Sequence, residues 1–190
     1  MINIAIFGVP GAGKGTQSEL LSQQLKLKHI STGNIVRREI EQRTPFGKKA
    51  YEMSTQGELV NDELIAEMFK NEFKKLINPH GFLFDGFPRT INQAQIMDSF
   101  LLSFGIKLNM FIELIISEEE SLKRLLKRAT EEGRIDDSPE VIKKRFKLYK
   151  SNTAPITDYY KKKQLYTGID GLRSIEEINL DLMNKIECFL

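Results

Sequence analysis

The residues with the clearest chemical meaning lie near the start of the chain, in the run GVPGAGKGT from Gly8 to Thr16. Glycines let the backbone turn its N–H groups inward around an anion without clashing side chains. Lys14 adds a positive charge for the outer phosphates, and a helix that begins there would direct its N-terminus at the same anion. The run indicates a site for a nucleoside triphosphate. By itself it does not separate a kinase from a motor or a switch.

Asp85 is the main candidate for holding a magnesium ion. It follows the apolar residues Phe82–Phe84, at the C-terminal edge of a predicted strand, where open α/β sheets place their ligands. Magnesium keeps much of its hydration shell, so we expect Asp85 to hold it through water. Thr16, next to the phosphate loop, is the second candidate. The alternative interpretation of Asp85 is a carboxylate that caps the following turn.

These residues need a scaffold, and the hydrophobic pattern predicts a parallel sheet with helices on both faces. The expected strands are Ile2–Phe7, Phe82–Phe84, Met110–Ile116 and Gln164–Ile169, with Lys28–Ile30 as a fifth. Two capping boxes, Ser117 with Glu120 and Ser174 with Glu177, predict where two of the helices begin.

Two segments fit this alternation poorly, so we expect them to contact substrates rather than complete the core. Residues 31–60 are polar with a helical pattern, and residues 127–137 read as a charged loop with almost no apolar content. The prediction is one domain. Its core comprises residues 1–30, 61–126 and 138–190, its lobe residues 31–60, and its short lid residues 127–137.

Composition gives no reason to expect a nucleic-acid or membrane partner. The 190 residues carry a formal net charge of +2, and no apolar stretch approaches the length of a membrane span. The N-terminus lacks the basic flank and apolar length of a signal peptide. Cys188 is the single cysteine, which excludes an internal disulfide and a cysteine-rich metal site. We therefore expect a soluble, cytoplasmic protein.

Several motifs, in the same order along the chain, resemble those of the adenylate kinase family of nucleoside monophosphate kinases. They are GVPGAGKGT at 8–16, STGNIVR at 31–37, QGELVNDEL at 56–64, DGFPRTINQ at 85–93, and GRIDD at 133–137. The resemblance implies a P-loop nucleoside triphosphate hydrolase-like three-layer α/β fold with a five-stranded parallel sheet. It also implies reversible, Mg²⁺-dependent transfer, ATP + AMP = 2 ADP, by a monomer that serves adenine nucleotide homeostasis.

The same resemblance assigns roles to individual residues. ATP would be bound by Gly11, Ala12, Gly13, Lys14, Gly15, Thr16, Arg124, Arg128 and Gly171. AMP would be bound by Thr32, Arg37, Glu58, Leu59, Val60, Gly86, Phe87, Pro88, Arg89, Gln93, Arg134 and Arg145. The catalytic cations would be Lys14, Arg89, Arg124, Arg134 and Arg145. Arginine suits these roles because its planar fork binds two phosphate oxygens at once.

Adenine is the expected acceptor base. Relatives that act on pyrimidines usually have alanine in place of Thr32, and the amide of Gln93 can both donate to and accept from an adenine edge. Phe87 is a candidate apolar neighbour of the base. The family usually has aspartate in place of Asn34, so we expect weaker organisation of the magnesium.

Other functions are also consistent with parts of this pattern. A UMP/CMP kinase on the same scaffold is the nearest, and a nucleotide-dependent switch or a non-catalytic nucleotide-binding module is a different class. A phosphate acceptor is already ionised and needs no general base, so His29 and His80 are interpreted as structural. The chain is too short and too poor in cysteine for an inserted zinc-binding lid, so no structural zinc is expected.

Overall fold

In a computed structural model, which describes residues 1–56, 58–75, 80–132 and 138–189, five parallel strands form a single sheet. The strands are β1 (Ile2–Gly8), β2 (Lys28–Ser31), β3 (Gly81–Asp85), β4 (Met110–Ile115) and β5 (Tyr166–Asp170). The helices are α1 (Lys14–Gln24), α2 (Thr32–Glu41), α3 (Pro45–Thr55), α4 (Asp62–Lys74), α5 (Ile91–Ser103), α6 (Glu118–Glu132), α7 (Pro139–Leu148), α8 (Pro155–Lys162) and α9 (Ile175–Ile186). A π-helical turn occupies Tyr149–Thr153, and a 3-10 turn occupies Glu187–Phe189. The predicted fold class is confirmed.

The strand order, β2-β3-β1-β4-β5, places β1 in the centre of the sheet. The chain leaves β1 toward one edge to form β2 and β3, and then crosses to the other side to form β4 and β5. Such a reversal opens a crevice at the carboxyl end of the central strand, which is where sheets of this class bind ligands. The loop after β1 begins at this crevice, with Ile6 paired to Asp85 of β3 and Gly8 paired to Leu114 of β4.

Both faces of the sheet are covered, which explains why β1 is apolar along almost its whole length. Ile4 and Ile6 belong to the core cluster that includes residues of α1 and α9. Ala5 and Phe7 point the other way, into the cluster formed with α4, α5 and α8. Packing on both sides fixes the carboxyl edge of the sheet as a firm base for a site.

The helix boundaries agree with the sequence in part. Ser174 and Glu177 form the complete capping box that was predicted at the start of α9. The box predicted at α6 is only half formed. Ser117 Oγ accepts from the Glu120 N–H at 3.2 Å, but the Glu120 carboxylate contacts Arg124 instead of returning to the cap.

The two irregular segments have different outcomes. The predicted lobe is helical, since α2 and α3 together span most of residues 31–60. The loop predicted from residue 127 is wrong for its first part, because α6 continues to Glu132. Charged pairs four residues apart, such as Lys127 with Glu131 at 3.7 Å, suit an exposed helix. The rest of the predicted lid, residues 133–137, lies outside the described residues. Every helix in the described ranges is too short or too polar to span a membrane.

Candidate active site

A cavity of about 1210 Å³ opens at the carboxyl ends of β1, β2 and β3. Pockets for one small ligand usually measure about 300–1,000 Å³, so this one has room for a larger ligand or for two. The predicted site residues along its wall are Gly11, Ala12, Gly13, Lys14, Gly15, Thr16, Thr32, Arg37, Glu58, Leu59, Val60, Asp85, Gly86, Pro88, Arg89, Gln93, Arg124, Arg128 and Arg145. Residues that are far apart in the sequence are thus brought to one place.

The phosphate loop joins β1 to α1 and leaves the start of that helix open to an anion. Gly13 precedes α1 in the left-handed region at φ 88°, and Gly11 has φ 80°. Residues other than glycine rarely adopt these backbone angles. The first turn of α1 has neither a capping side chain nor an acidic residue. Its N–H groups and helix dipole therefore remain available for phosphate oxygens.

Lys14 folds back over this loop. Its Nζ donates to the carbonyl oxygens of Gly8 at 2.9 Å and Val9 at 2.8 Å. Burial lowers the pKa of Lys14 to about 7. The positive charges of Arg89, Arg145 and Arg128 contribute to this lowering, and the negative charge of Asp85 opposes it. The ammonium group therefore lies within the electrostatic reach of three arginines that come from three different elements or loops.

Asp85 ends β3 and faces two residues of the neighbouring strand. Its Oδ2 accepts from Ser31 Oγ at 3.1 Å and lies 3.6 Å from His29 Nε2. Burial alone would raise the pKa of Asp85. The nearby His29 imidazole, the charge of Lys14 and the Ser31 hydroxyl outweigh that effect and hold the pKa below its usual range. Asp85 is thus an ionised carboxylate beside the phosphate loop.

The sequence interpretation missed the contact of His29 with Asp85. A signal was present, because His29 and Ser31 alternate on β2 and so point to the same face of the sheet. In the sheet, Ser31 pairs with Asp85, and this register brings the histidine close as well. The prediction could not use this signal without knowing that β2 and β3 are neighbours.

Most of the residues expected to bind AMP line the same cavity. Arg89 is held by its own chain, since its Nε donates to the Gly86 carbonyl oxygen at 2.7 Å. Arg37 donates from Nη2 to Oδ1 of Asn34, one turn earlier on α2. Both guanidinium groups also face the cavity, so each is supported on one side and directed toward a ligand on the other.

Two of the residues expected to contact AMP have partners within the chain. The Phe87 ring is buried in the core and stacks on Phe69 with ring centroids 4.6 Å apart, so it does not line the cavity beside a base. Gln93 lines the cavity, but its amide already contacts the chain. Its Oε1 accepts from the Arg89 N–H at 2.7 Å, and its Nε2 donates to Asp62 Oδ1 at 2.6 Å.

Helices α6 and α7 supply Arg124, Arg128 and Arg145 to the wall of the same cavity. Arg124 donates from Nη2 to the carbonyl oxygen of Gly171 at 3.0 Å and pairs with Glu120 at 2.7 Å. These contacts join α6 to the loop after β5. Gly171 itself is not part of the cavity wall, and Arg134 lies outside the described residues.

A parallel α/β sheet with a lysine-bearing phosphate loop at its reversal point defines the class of nucleotide-binding P-loop proteins. Arginines from several other elements line the same cavity, which favours an enzyme that binds two phosphorylated ligands over a module that binds one.

Comparisons with known proteins give the family. Residues 6–165 match the family model described as Adenylate kinase. Over 187 residues the chain is 43% identical to an adenylate kinase of Phocaeicola vulgatus, covering 98% of this chain and 99% of that protein. An adenylate kinase of Porphyromonas gingivalis is 41% identical over 189 residues, covering 100% of this chain and 97% of the relative. The chain belongs to the adenylate kinase family. The predicted family and its enzyme class, a phosphotransferase with a phosphate group as acceptor, are confirmed.

Proposed function

We propose that this chain catalyses the reversible transfer of a phosphoryl group in ATP + AMP = 2 ADP and so balances the adenine nucleotide pool. One observation carries the proposal: the phosphate loop with its lysine and a further group of arginines from other elements line a single cavity. A module that only binds ATP would not need the second group. Family membership over nearly the whole chain supports the same activity.

The chain contributes positioning and charge. The N–H groups of the loop and Lys14 hold the outer phosphates of ATP. Arg37 and Arg89 hold the phosphate of AMP so that an oxygen faces the transferring group in line with the bond that breaks. That oxygen is already ionised near neutral pH, so no side chain needs to remove a proton. Arg124, Arg128 and Arg145 neutralise the charge that spreads over the transferring oxygens.

Magnesium fits the residues beside the phosphate loop. Asp85 is an ionised carboxylate, and Thr16 presents a hydroxyl on the cavity wall, and oxygen donors of this kind suit magnesium. Among the described residues no group of three or more histidine, cysteine, aspartate or glutamate side chains forms a metal cage. Phosphate oxygens and water would therefore complete the shell of the ion. When bound, it supplies further neutralisation of phosphate charge.

We also propose that the enzyme works as a monomer in the cytoplasm. One chain provides both groups of phosphate-binding residues, so the site does not need a second copy. Cys188, the single cysteine, is a free exposed thiol, which suits a reducing compartment.

The test is a transfer assay with ATP, magnesium and a panel of AMP, CMP, UMP and GMP. We expect AMP to be the preferred acceptor. Equal use of AMP and CMP would contradict the acceptor assignment, and transfer to none of the four would leave only nucleotide binding.

A pair of variants on one helix tests the site. Arg37→Ala removes a cavity arginine and should raise the KM for AMP by about tenfold or more, as expected for a lost charged phosphate contact. Arg38→Ala is the matched control, since Arg38 pairs with Glu72 at 3.1 Å on the outside of the lobe. Similar KM values in the two variants would argue against the acceptor pocket.

A further inference from the structure

Asp62 is not among the residues assigned above to phosphate, adenine or magnesium. It is the first residue of α4, directly after the cap Asn61. Its carboxylate turns away from its own helix toward the start of α5. There it accepts from Thr90 Oγ1 at 2.7 Å, from Asn92 Nδ2 at 3.1 Å and from Gln93 Nε2 at 2.6 Å.

The contact with Gln93 matters because of what holds the other end of that amide. Gln93 Oε1 accepts from the backbone N–H of Arg89 at 2.7 Å. If the amide were turned over, its NH₂ group would face the Arg89 N–H, donor against donor. Its oxygen would then face the Asp62 carboxylate, acceptor against acceptor. Both contacts would be lost and replaced by repulsion, so the two neighbours together permit only one orientation of the amide.

A fixed amide presents a fixed pattern to the cavity. A primary amide has two N–H donors and an oxygen with two acceptor positions. The contacts with Asp62 and Arg89 use one of each, and Gln93 forms part of the cavity wall. The remaining donor and acceptor therefore lie in a set order. A purine with a 6-amino group offers a donor beside a ring acceptor, whereas a 6-oxopurine offers an acceptor beside a ring N–H.

We propose that Asp62 fixes the Gln93 amide in the orientation that accepts a 6-amino purine and disfavours a 6-oxopurine. Asp62 is thus a positioning residue for acceptor specificity, and this inference rests on the proposed acceptor pocket for AMP. Gln93 is 2% exposed, so water does not readily replace the hydrogen bonds that a turned amide would lose.

The experiment compares AMP with IMP as acceptors. IMP differs in carrying an oxo group and a ring N–H where AMP carries an amino group and a ring acceptor, so it probes the order of donor and acceptor alone. Asp62→Ala should raise the ratio of kcat/KM for IMP to that for AMP by about tenfold, the size expected when one buried hydrogen bond is mismatched. Asp62→Asn keeps an oxygen that can face Gln93 and should retain a ratio within about threefold of the parent value.

Glu63→Ala is the matched control, because Glu63 is an exposed acidic residue in the same first turn of α4 and does not contact Gln93. It should leave the ratio unchanged. In a Gln93→Ala background, Asp62→Ala should have no further effect on the ratio, since the amide through which it acts is gone. Urea unfolding reports whether each variant is folded. Should the alanine variant fail to fold, Asp62→Ser replaces it, because serine suits a helix start but is too short to reach Gln93.

The outcomes separate the two proposals. If the parent chain transfers phosphate to neither purine, the proposed function fails. If the parent prefers AMP and Asp62→Ala loses stability with the ratio unchanged, Asp62 only joins α4 to α5 and the specificity role is refuted. An equal change of the ratio in Glu63→Ala, or a change that persists without the Gln93 amide, refutes it as well.

Discussion

Replacing Tyr149 by phenylalanine would test how the sheet supports Arg145. Tyr149 starts the π-helical turn that follows α7, and its N–H donates to the Arg145 carbonyl oxygen. Its hydroxyl donates to Glu113 Oε1 of β4 at 2.9 Å, and its ring packs on Phe7 of β1 with centroids 5.5 Å apart. Burial, followed by the Glu113 charge, raises the pKa of Tyr149, so the hydroxyl stays a donor. This hydrogen bond thus connects β4 to the turn that follows α7, the helix that carries Arg145.

The expected size of the effect follows from the charge of the Glu113 carboxylate. A hydrogen bond to a charged group contributes about 1.5–3 kcal/mol, and Tyr149→Phe should lower the free energy of unfolding by about that amount. The turn can then shift relative to β4, and a small displacement of a charged group at a reacting centre reduces the rate by about tenfold or more. We therefore expect kcat to fall together with stability, as measured by urea unfolding and steady-state transfer at saturating nucleotides.

Tyr166→Phe is the matched control. Tyr166 donates to the other oxygen of the same carboxylate, Glu113 Oε2, at 2.8 Å, but it belongs to β5 and does not line the cavity. Its removal should lower the free energy of unfolding by about the same 1.5–3 kcal/mol and leave kcat near the parent value. Equal losses of kcat in both variants, or an unchanged kcat in Tyr149→Phe despite the lost stability, would refute the idea that this contact positions Arg145.

Three further predictions follow from the site. Because burial lowers the pKa of Lys14 to about 7, the unfolded chain binds more protons than the folded one from about pH 7 to pH 10. The free energy of unfolding of the ligand-free protein should therefore rise over that range, and in Lys14→Met this rise should be absent, as measured by urea unfolding. The same pH dependence in the parent and in Lys14→Met would contradict this prediction. Asn34→Asp adds a negative charge on the cavity wall next to Arg37. The magnesium concentration that gives half the maximal rate should therefore fall. An unchanged concentration would show that residue 34 does not help to organise the magnesium. At Gly86, φ is 77° and an added Cβ would lie 3.0 Å from Arg89 Nη2. Gly86→Ala should thus lose about 1–2 kcal/mol of stability from backbone strain and raise the KM for AMP, whereas an unchanged KM would show that Arg89 can give way.

Several features of the fold could be predicted from short stretches of the sequence. The phosphate loop, the apolar run of β1 and the capping box at Ser174 depend on residues close together in the chain. Backbone hydrogen bonding and hydrophobic period act over the same short range, so the sequence predicts them directly. The arginine motifs were foreseen through family resemblance rather than from pattern, because a charged side chain alone does not reveal what it faces.

Tertiary structure alone decided the partners of the polar side chains. Glu113 accepts hydrogen bonds from the hydroxyl groups of Tyr149 and Tyr166, which are 36 and 53 positions away in the sequence. Asp62 reaches Gln93, 31 positions away. The order of the strands and the packing of neighbouring helices determine these long-range contacts. The hydrophobic periodicity of a single segment predicts neither of them. The sequence therefore determined which chemistry was available, and the fold determined which groups support it.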